Sequence, residues 1–124
     1  ERYACLVSSV DMDGNELSGI RLPDLTRPVG THSGWNVRHP KTGAADQPVP
    51  MIGFSRWFPS TEIDRSSSDD PRRSIENRYI DRDTYTDLVT QDAQQLSDDG
   101  YILESDIDIV VKNAVDRYDV AINQ

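Results

Sequence analysis

The stretch that decides the fold class is Ile107-Asp108-Ile109-Val110-Val111-Lys112-Asn113-Ala114-Val115-Asp116-Arg117-Tyr118-Asp119-Val120-Ala121-Ile122. Its apolar residues Ile107, Val110, Val111, Ala114, Val115, Tyr118 and Ile122 recur at intervals of three and four, so they share one stripe of an amphipathic helix. Ser105 with Asp108 three residues on predicts a capping box at its start, Asp standing in for the usual Glu. Upstream, Asp81 can cap a second helix whose apolar face runs Tyr85, Leu88, Val89, Ala93 and Leu96, with Gly100 as its stop. The short link from Asp98 to Leu103 makes the two an antiparallel helix pair. Asp70 before Pro71 predicts an N-cap and a proline at the first helical position, opening a short helix through about Tyr79.

The other end of the chain reads as β. Residues 3–10 alternate as a strand, Glu16 to Leu22 reads as its return, and Asp11-Met12-Asp13-Gly14-Asn15 supplies the tight turn between them. Pro23 is expected to end the second strand, because it cannot donate to a ladder. From Asp24 to Asp70 turn formers dominate, with a third short strand near Met51 to Phe58, and Ser66-Ser67-Ser68-Asp69-Asp70 reads as a flexible joint. The expectation is an α+β single domain over 1–124: a β-hairpin at 1–23, a long aromatic-rich loop segment at 24–70, and a helical part at 71–124.

Composition narrows the function classes. The chain has 124 residues, 35% of them hydrophobic and 28% charged, so one thin core is expected and some apolar surface is left for a partner. Its net charge of −9 is uneven: residues 1–62 hold six basic and seven acidic groups, residues 63–124 seven and fifteen. An acidic helical half repels phosphate backbones and anionic headgroups, which argues against nucleic-acid and membrane partners. Cys5 is the sole cysteine, which excludes an internal disulfide and a cysteine-rich zinc site. No apolar run approaches a membrane span and no signal peptide is visible.

Both histidines, both tryptophans and both phenylalanines fall between residues 32 and 58. His32, Trp35, Arg38 and Trp57 are therefore the candidate ligand-binding set, in which aromatic faces would hold a small molecule and Arg38 or His32 a polar group. The same residues would equally serve to pin a loop-rich segment over a sheet. Asp11, Asp13 and Asn15 imitate the opening of an EF-hand, but Glu16 stands where that loop needs glycine and Leu22 where it needs the bidentate glutamate, so a plain turn is expected. His32 and His39 with Asp24 or Asp46 match no metal-ligand spacing, and His39 before Pro40 reads as an exposed turn residue. Neither a metal nor a cofactor is expected.

Four stretches, taken in order, resemble the C-terminal region of the α/β-hydrolase-domain family of large, poorly characterised bacterial proteins. They are Asp11-Met12-Asp13-Gly14-Asn15-Glu16, Gly19-Ile20-Arg21-Leu22-Pro23, Gly30-Thr31-His32-Ser33-Gly34-Trp35-Asn36, and Asp70-Pro71-Arg72-Arg73-Ser74-Ile75-Glu76-Asn77-Arg78-Tyr79. The resemblance implies strands first and a helical tail last, with a nucleophile upstream of this region. Gly53-Phe54-Ser55-Arg56-Trp57 lacks the second glycine of a nucleophile elbow, so Ser55 is not read as the nucleophile. His32 stands where the family pattern usually has tyrosine, which argues against an inherited catalytic base. The expected function is a non-catalytic domain acting through self-association or contact with an upstream or partner domain. The alternatives are a hydrolase fragment, active only with a missing N-terminal part and using His32 as base, or a small-ligand binder using the aromatic segment.

Overall fold

The computed structural model describes residues 8–45 and 47–124. Its elements run α1 (Pro23–Thr26), β1 (Gly30–Val37), β2 (Pro48–Trp57), α2 (Glu62–Ser68), α3 (Arg82–Asp98) and α4 (Ile107–Ile122), with single 3-10 turns at Pro40–Thr42 and Glu104–Asp106. The chain is α+β, with a small antiparallel sheet preceding the C-terminal helices.

The helical end follows its sequence signals. Asp81 is the N-cap of α3, its carboxylate accepting the Thr84 N–H at 2.7 Å. Past the last turn, Gly100 adopts φ +79°, its N–H donates to Ser97 O at 2.9 Å, and the Tyr101 N–H reaches Leu96 O at 2.9 Å. This closes the helix with paired C-terminal bonds that use the left-handed freedom of glycine. Arg82 at the start of α3 pairs with Asp119 near the end of α4 at 2.7 Å, so the helices run antiparallel. Tyr85, Val89 and Ala93 of α3 are buried against Ala114, Val115, Tyr118 and Ala121 of α4. Ile122, expected on that stripe, faces outward, and Ala121 takes the inner place. The Ser105 capping box does not form: a 3-10 turn precedes α4, and the Ser105 hydroxyl donates to Asp106 instead.

The core gathers Val29, Phe58, Ile75 and Tyr79 onto the helix pair. Tyr85 and Tyr118 stack at 4.7 Å between centroids, and Tyr79 meets Tyr85 edge-on at 4.8 Å. Two of the three buried phenols donate to backbone carbonyls, Tyr79 to Pro28 O at 3.0 Å and Tyr85 to Arg27 O at 3.2 Å. These two bonds hold the chain entering β1 against the helices.

The middle of the chain differs from its sequence reading. The segment expected as a loop carries the sheet, with β1 and β2 paired from Gly30↔Trp57 to Val37↔Pro48. The third strand expected near Met51–Phe58 is present as part of β2. Residues 62–68, partly read as a flexible joint, form α2, capped by a reciprocal box in which Thr61 Oγ1 accepts from Asp64 N at 3.1 Å and Asp64 accepts from Thr61 N at 3.2 Å. The helix expected from Asp70 to Tyr79 is a run of turns. The N–H groups of Ile75 and Glu76 donate to Pro59 O and Ser60 O, partners outside any local helix, and Asp70 is occupied by Arg72. Most of the expected first strand lies outside the described residues. What is described of the N-terminal hairpin is a bridge between Val10 and Glu16, and the return does not continue as a strand toward Leu22. Pro23, expected to end that strand, opens α1 instead.

Candidate functional site

Opposed on β1 and β2, His32 and Ser55 meet across the strands, with His32 Nδ1 2.8 Å from Ser55 Oγ. The far ring nitrogen, Nε2, is buried and has no hydrogen-bond partner among the described residues. Trp57 stands edge-on to the imidazole at 5.9 Å. Burial is the largest influence on His32 and lowers its pKa, opposed by Asp24 and assisted by Arg117, which favours the neutral ring.

His32 forms part of the wall of two neighbouring clefts of about 340 Å³ each. One lies toward α1 and α4 and combines aliphatic Ile20, Leu22 and Leu25 with Asp24, Arg117 and Ser55. The other lies over β1, between Glu16, Trp35 and Phe54. Of the set singled out in the sequence, His32 meets Trp57 edge-on and shares the cleft over β1 with Trp35, while Trp57 lines neither cleft. Arg38 lies past the end of β1, exposed, and lines neither cleft. His39 is exposed and accepts from the Lys41 N–H at 3.2 Å, as a turn residue. Ser55 and Arg117 escaped notice in the sequence as a pair around His32. Strand register brings the first there, and α4 carries the second from 85 positions away in the chain.

As a catalytic arrangement the pair is incomplete. A serine nucleophile needs a base whose second nitrogen is held by an acid. Here that nitrogen has no partner among the described residues, and Asp24 is taken by Arg117. Among the described residues no three His, Cys, Asp or Glu side chains converge as a metal-holding set, while Asp46, once drawn beside His39, lies outside them.

The four sequence stretches that carried the resemblance converge into one polar clamp. Asp11 Oδ1 accepts the N–H groups of Asp13 and Asn15 at 2.9 Å each, and Arg21 pairs with the other oxygen of Asp11 at 3.5 Å. Asp13 makes a two-pronged pair with Arg78 at 2.7 and 2.5 Å. The Asn15 side chain, fully buried, donates to Gly30 O at 3.0 Å and accepts the His32 N–H at 2.8 Å. These bonds consume the side chains that imitated an EF-hand. Arg72 uses all five of its donors, on Asp70, Thr31, Arg56 O and Trp57 O. Its hydrogen bonds to Asp70 lower that carboxyl to about 2, against the cost of burial.

A family model described as an alpha/beta hydrolase domain matches residues 6–112, a span containing every one of these stretches. The chain belongs to the α/β-hydrolase-domain family. No curated protein and no solved structure matches it. Within this family member, Asn15 and Arg72 bind the backbone of β1 and β2 beside His32 and Ser55, while Asp11–Arg21 and Asp13–Arg78 tie the neighbouring turns together. No helix of the described residues is long and apolar enough to cross a membrane.

Proposed function

We propose that this chain is a non-catalytic region of an α/β-hydrolase protein that works by contact, presenting the far end of the β1–β2 hairpin to the nucleophile-bearing body of the hydrolase. The observation that carries this reading is the exposure of Trp35, Val37, Met51 and Ile52, at 52%, 55%, 95% and 60%, on a two-stranded sheet with no third strand over them among the described residues. Such a ribbon is marginal by itself in water, and clustered apolar side chains of this size mark a surface that is covered in use. Family membership supports the choice of partner. The family's chemistry requires a nucleophile elbow, this sequence contains none, and among the described residues no acid meets its His32–Ser55 pair.

The test is to assay the chain alone against short aryl esters, then to measure its binding to the nucleophile-bearing part of a family member, with Met51→Asp and Ile52→Asp as variants. The expected result is no hydrolysis above background by the chain, binding to the body, and loss of that binding in both variants with the helical melt unchanged. Turnover by the isolated chain overturns the non-catalytic reading. A stable dimer of this chain that the same variants dissociate overturns the choice of partner and leaves self-association through the hairpin.

A further inference from the structure

The cleft between α1, α4 and the base of the hairpin has a chemistry that the contact reading does not use. Its aliphatic side is Ile20, Leu22 and Leu25, and its polar side is Ser55 and Arg117, with Asp24 beside Arg117. Two features decide what it can hold. The first is the direction of the His32–Ser55 hydrogen bond. With His32 neutral, one ring nitrogen carries a proton, and a buried N–H without an acceptor is much rarer than a bare lone pair. Because Nε2 is the buried nitrogen without a partner, the proton is assigned to Nδ1, which donates to Ser55 Oγ. Ser55 Oγ thus accepts from the ring, and its own O–H is left to donate toward the cleft. A base in this tautomer cannot take the serine proton through Nδ1, so Ser55 is a donor site and not a nucleophile.

The second feature is the state of Arg117. One guanidinium nitrogen is bonded to Asp24, and no other protein acceptor meets the group among the described residues. Its planar fork therefore keeps N–H groups for an anion, and Asp24 orients it while cancelling its charge. A locally neutral ion pair with one hydroxyl suits a monoanion and disfavours a dianion such as a phosphate ester. At about 340 Å³ the cleft is at the small end of ligand sites.

We propose that this cleft binds a short aliphatic monocarboxylate, its carboxylate held by the Arg117 guanidinium and the Ser55 hydroxyl and its tail laid along Ile20, Leu22 and Leu25. The site does not depend on the hairpin's far end, so it stands or falls apart from the contact proposed above.

The experiment is a titration of the full chain at pH 7 by ligand-observed NMR and calorimetry with propionate, butyrate and valerate, alongside pentanamide and pentylamine. Affinity is expected to rise about threefold to fourfold per added methylene. Pentanamide and the Arg117→Gln variant are each expected to weaken binding about tenfold, the loss of a charge-assisted hydrogen bond. Ser55→Ala, at an exposed position, is expected to weaken it severalfold with the thermal melt unchanged, and Arg38→Gln to leave it unchanged. Should Arg117→Gln not fold, Ser55→Ala and the amide decide the matter. No saturable binding of valerate in the millimolar range, equal binding of valerate and pentanamide, or preference for pentylamine would each overturn the assignment, the last by making Asp24 the recognising group.

Discussion

The two halves of the β1–β2 hairpin share one pair of strands and have little else in common. At the near half, Gly30 to Ser33 against Phe54 to Trp57, the backbone is gripped from outside: Asn15 takes up Gly30 O and the His32 N–H, Arg72 takes up Arg56 O and Trp57 O, and Phe58 follows directly into the core. At the far half, Trp35 to Val37 against Pro48 to Val49, Trp35, Val37 and Pro48 are exposed and Asn36 and Val49 partly so. An irregular step separates them, where Gly34 stands opposite Met51, Ile52 and Gly53 and Met51 adopts φ +67°. The near half is therefore held by tertiary contacts, while among the described residues the hydrogen bonds of the far half stay within the hairpin. The contrast locates position in the first and availability for contact in the second.

The largest effect is expected where the near half enters the core. Phe58 is 2% exposed, and the guanidinium of Arg78 lies over its ring at 4.1 Å with that of Arg72 at 5.1 Å. Phe58→Ala should cost about 3–5 kcal/mol, through the cavity and the two cations left without a face. Denaturant unfolding followed by circular dichroism measures it, and a loss below about 1 kcal/mol would mean that the hairpin base is not joined to the core as described.

Next is the ion pair that grips β2. Asp70 is 5% exposed and Arg72 10%, so Asp70→Ala leaves a buried guanidinium short of its anion and should cost about 3 kcal/mol. The same pair sets an acid limit. A carboxyl lowered to about 2 in the folded chain stabilises fully above its unfolded value, near 3.8, and this contribution disappears as pH falls from there toward 2. Wild-type stability should drop through that window by more than the Asp70→Asn variant's does. Parallel acid titrations of the two would refute the assignment.

The near and far halves also differ in how much of them the sequence disclosed. The helices were legible because their signals are local: the Asp81 cap, the Gly100 stop and the three-four spacing of apolar residues each act within a turn or two. Strand β2 was partly legible from Met51 onward. Strand β1 was not, since Gly-Thr-His-Ser-Gly-Trp-Asn-Val holds two glycines and lacks a clean alternation, and what makes it a strand is the grip of Asn15 and Arg72 from elsewhere in the chain. Helix α2 could have been found from Thr61 and Asp64, an N-cap box overlooked beside the serine run. The candidate site was half legible. The aromatic cluster pointed to His32, Trp35 and Trp57, but Ser55 depends on strand register and Arg117 on how α4 packs, and neither is a local property.

The step between the halves offers a sharper test with a smaller effect. A Cβ on Gly53 would lie 2.1 Å from Ser33 O, a distance no side chain tolerates, so Gly53→Ala must push the strands apart there. The expected loss is about 1–3 kcal/mol, felt as faster amide exchange at the far half while α3 and α4 keep their protection. Equal acceleration in the helices would show that the two halves are one cooperative unit, and the distinction drawn here would not hold.

Met51→Gly should have the smallest effect, and one of opposite sign. Methionine in the left-handed region is strained by its Cβ, a cost of about 1 kcal/mol that glycine does not bear. Glycine also gives up more freedom on folding, which offsets part of the gain, so a net stabilisation of about 0.5 kcal/mol is expected. Because the Met51 side chain is 95% exposed, its removal leaves no cavity to mask that gain. The change should appear as slower exchange in residues 48–53 with the global melt hardly moved, since the far half opens without unfolding the core. Destabilisation would mean that the Met51 side chain contributes more to the free chain than its exposure allows. That outcome would move it from the contact surface into the structure that holds the hairpin.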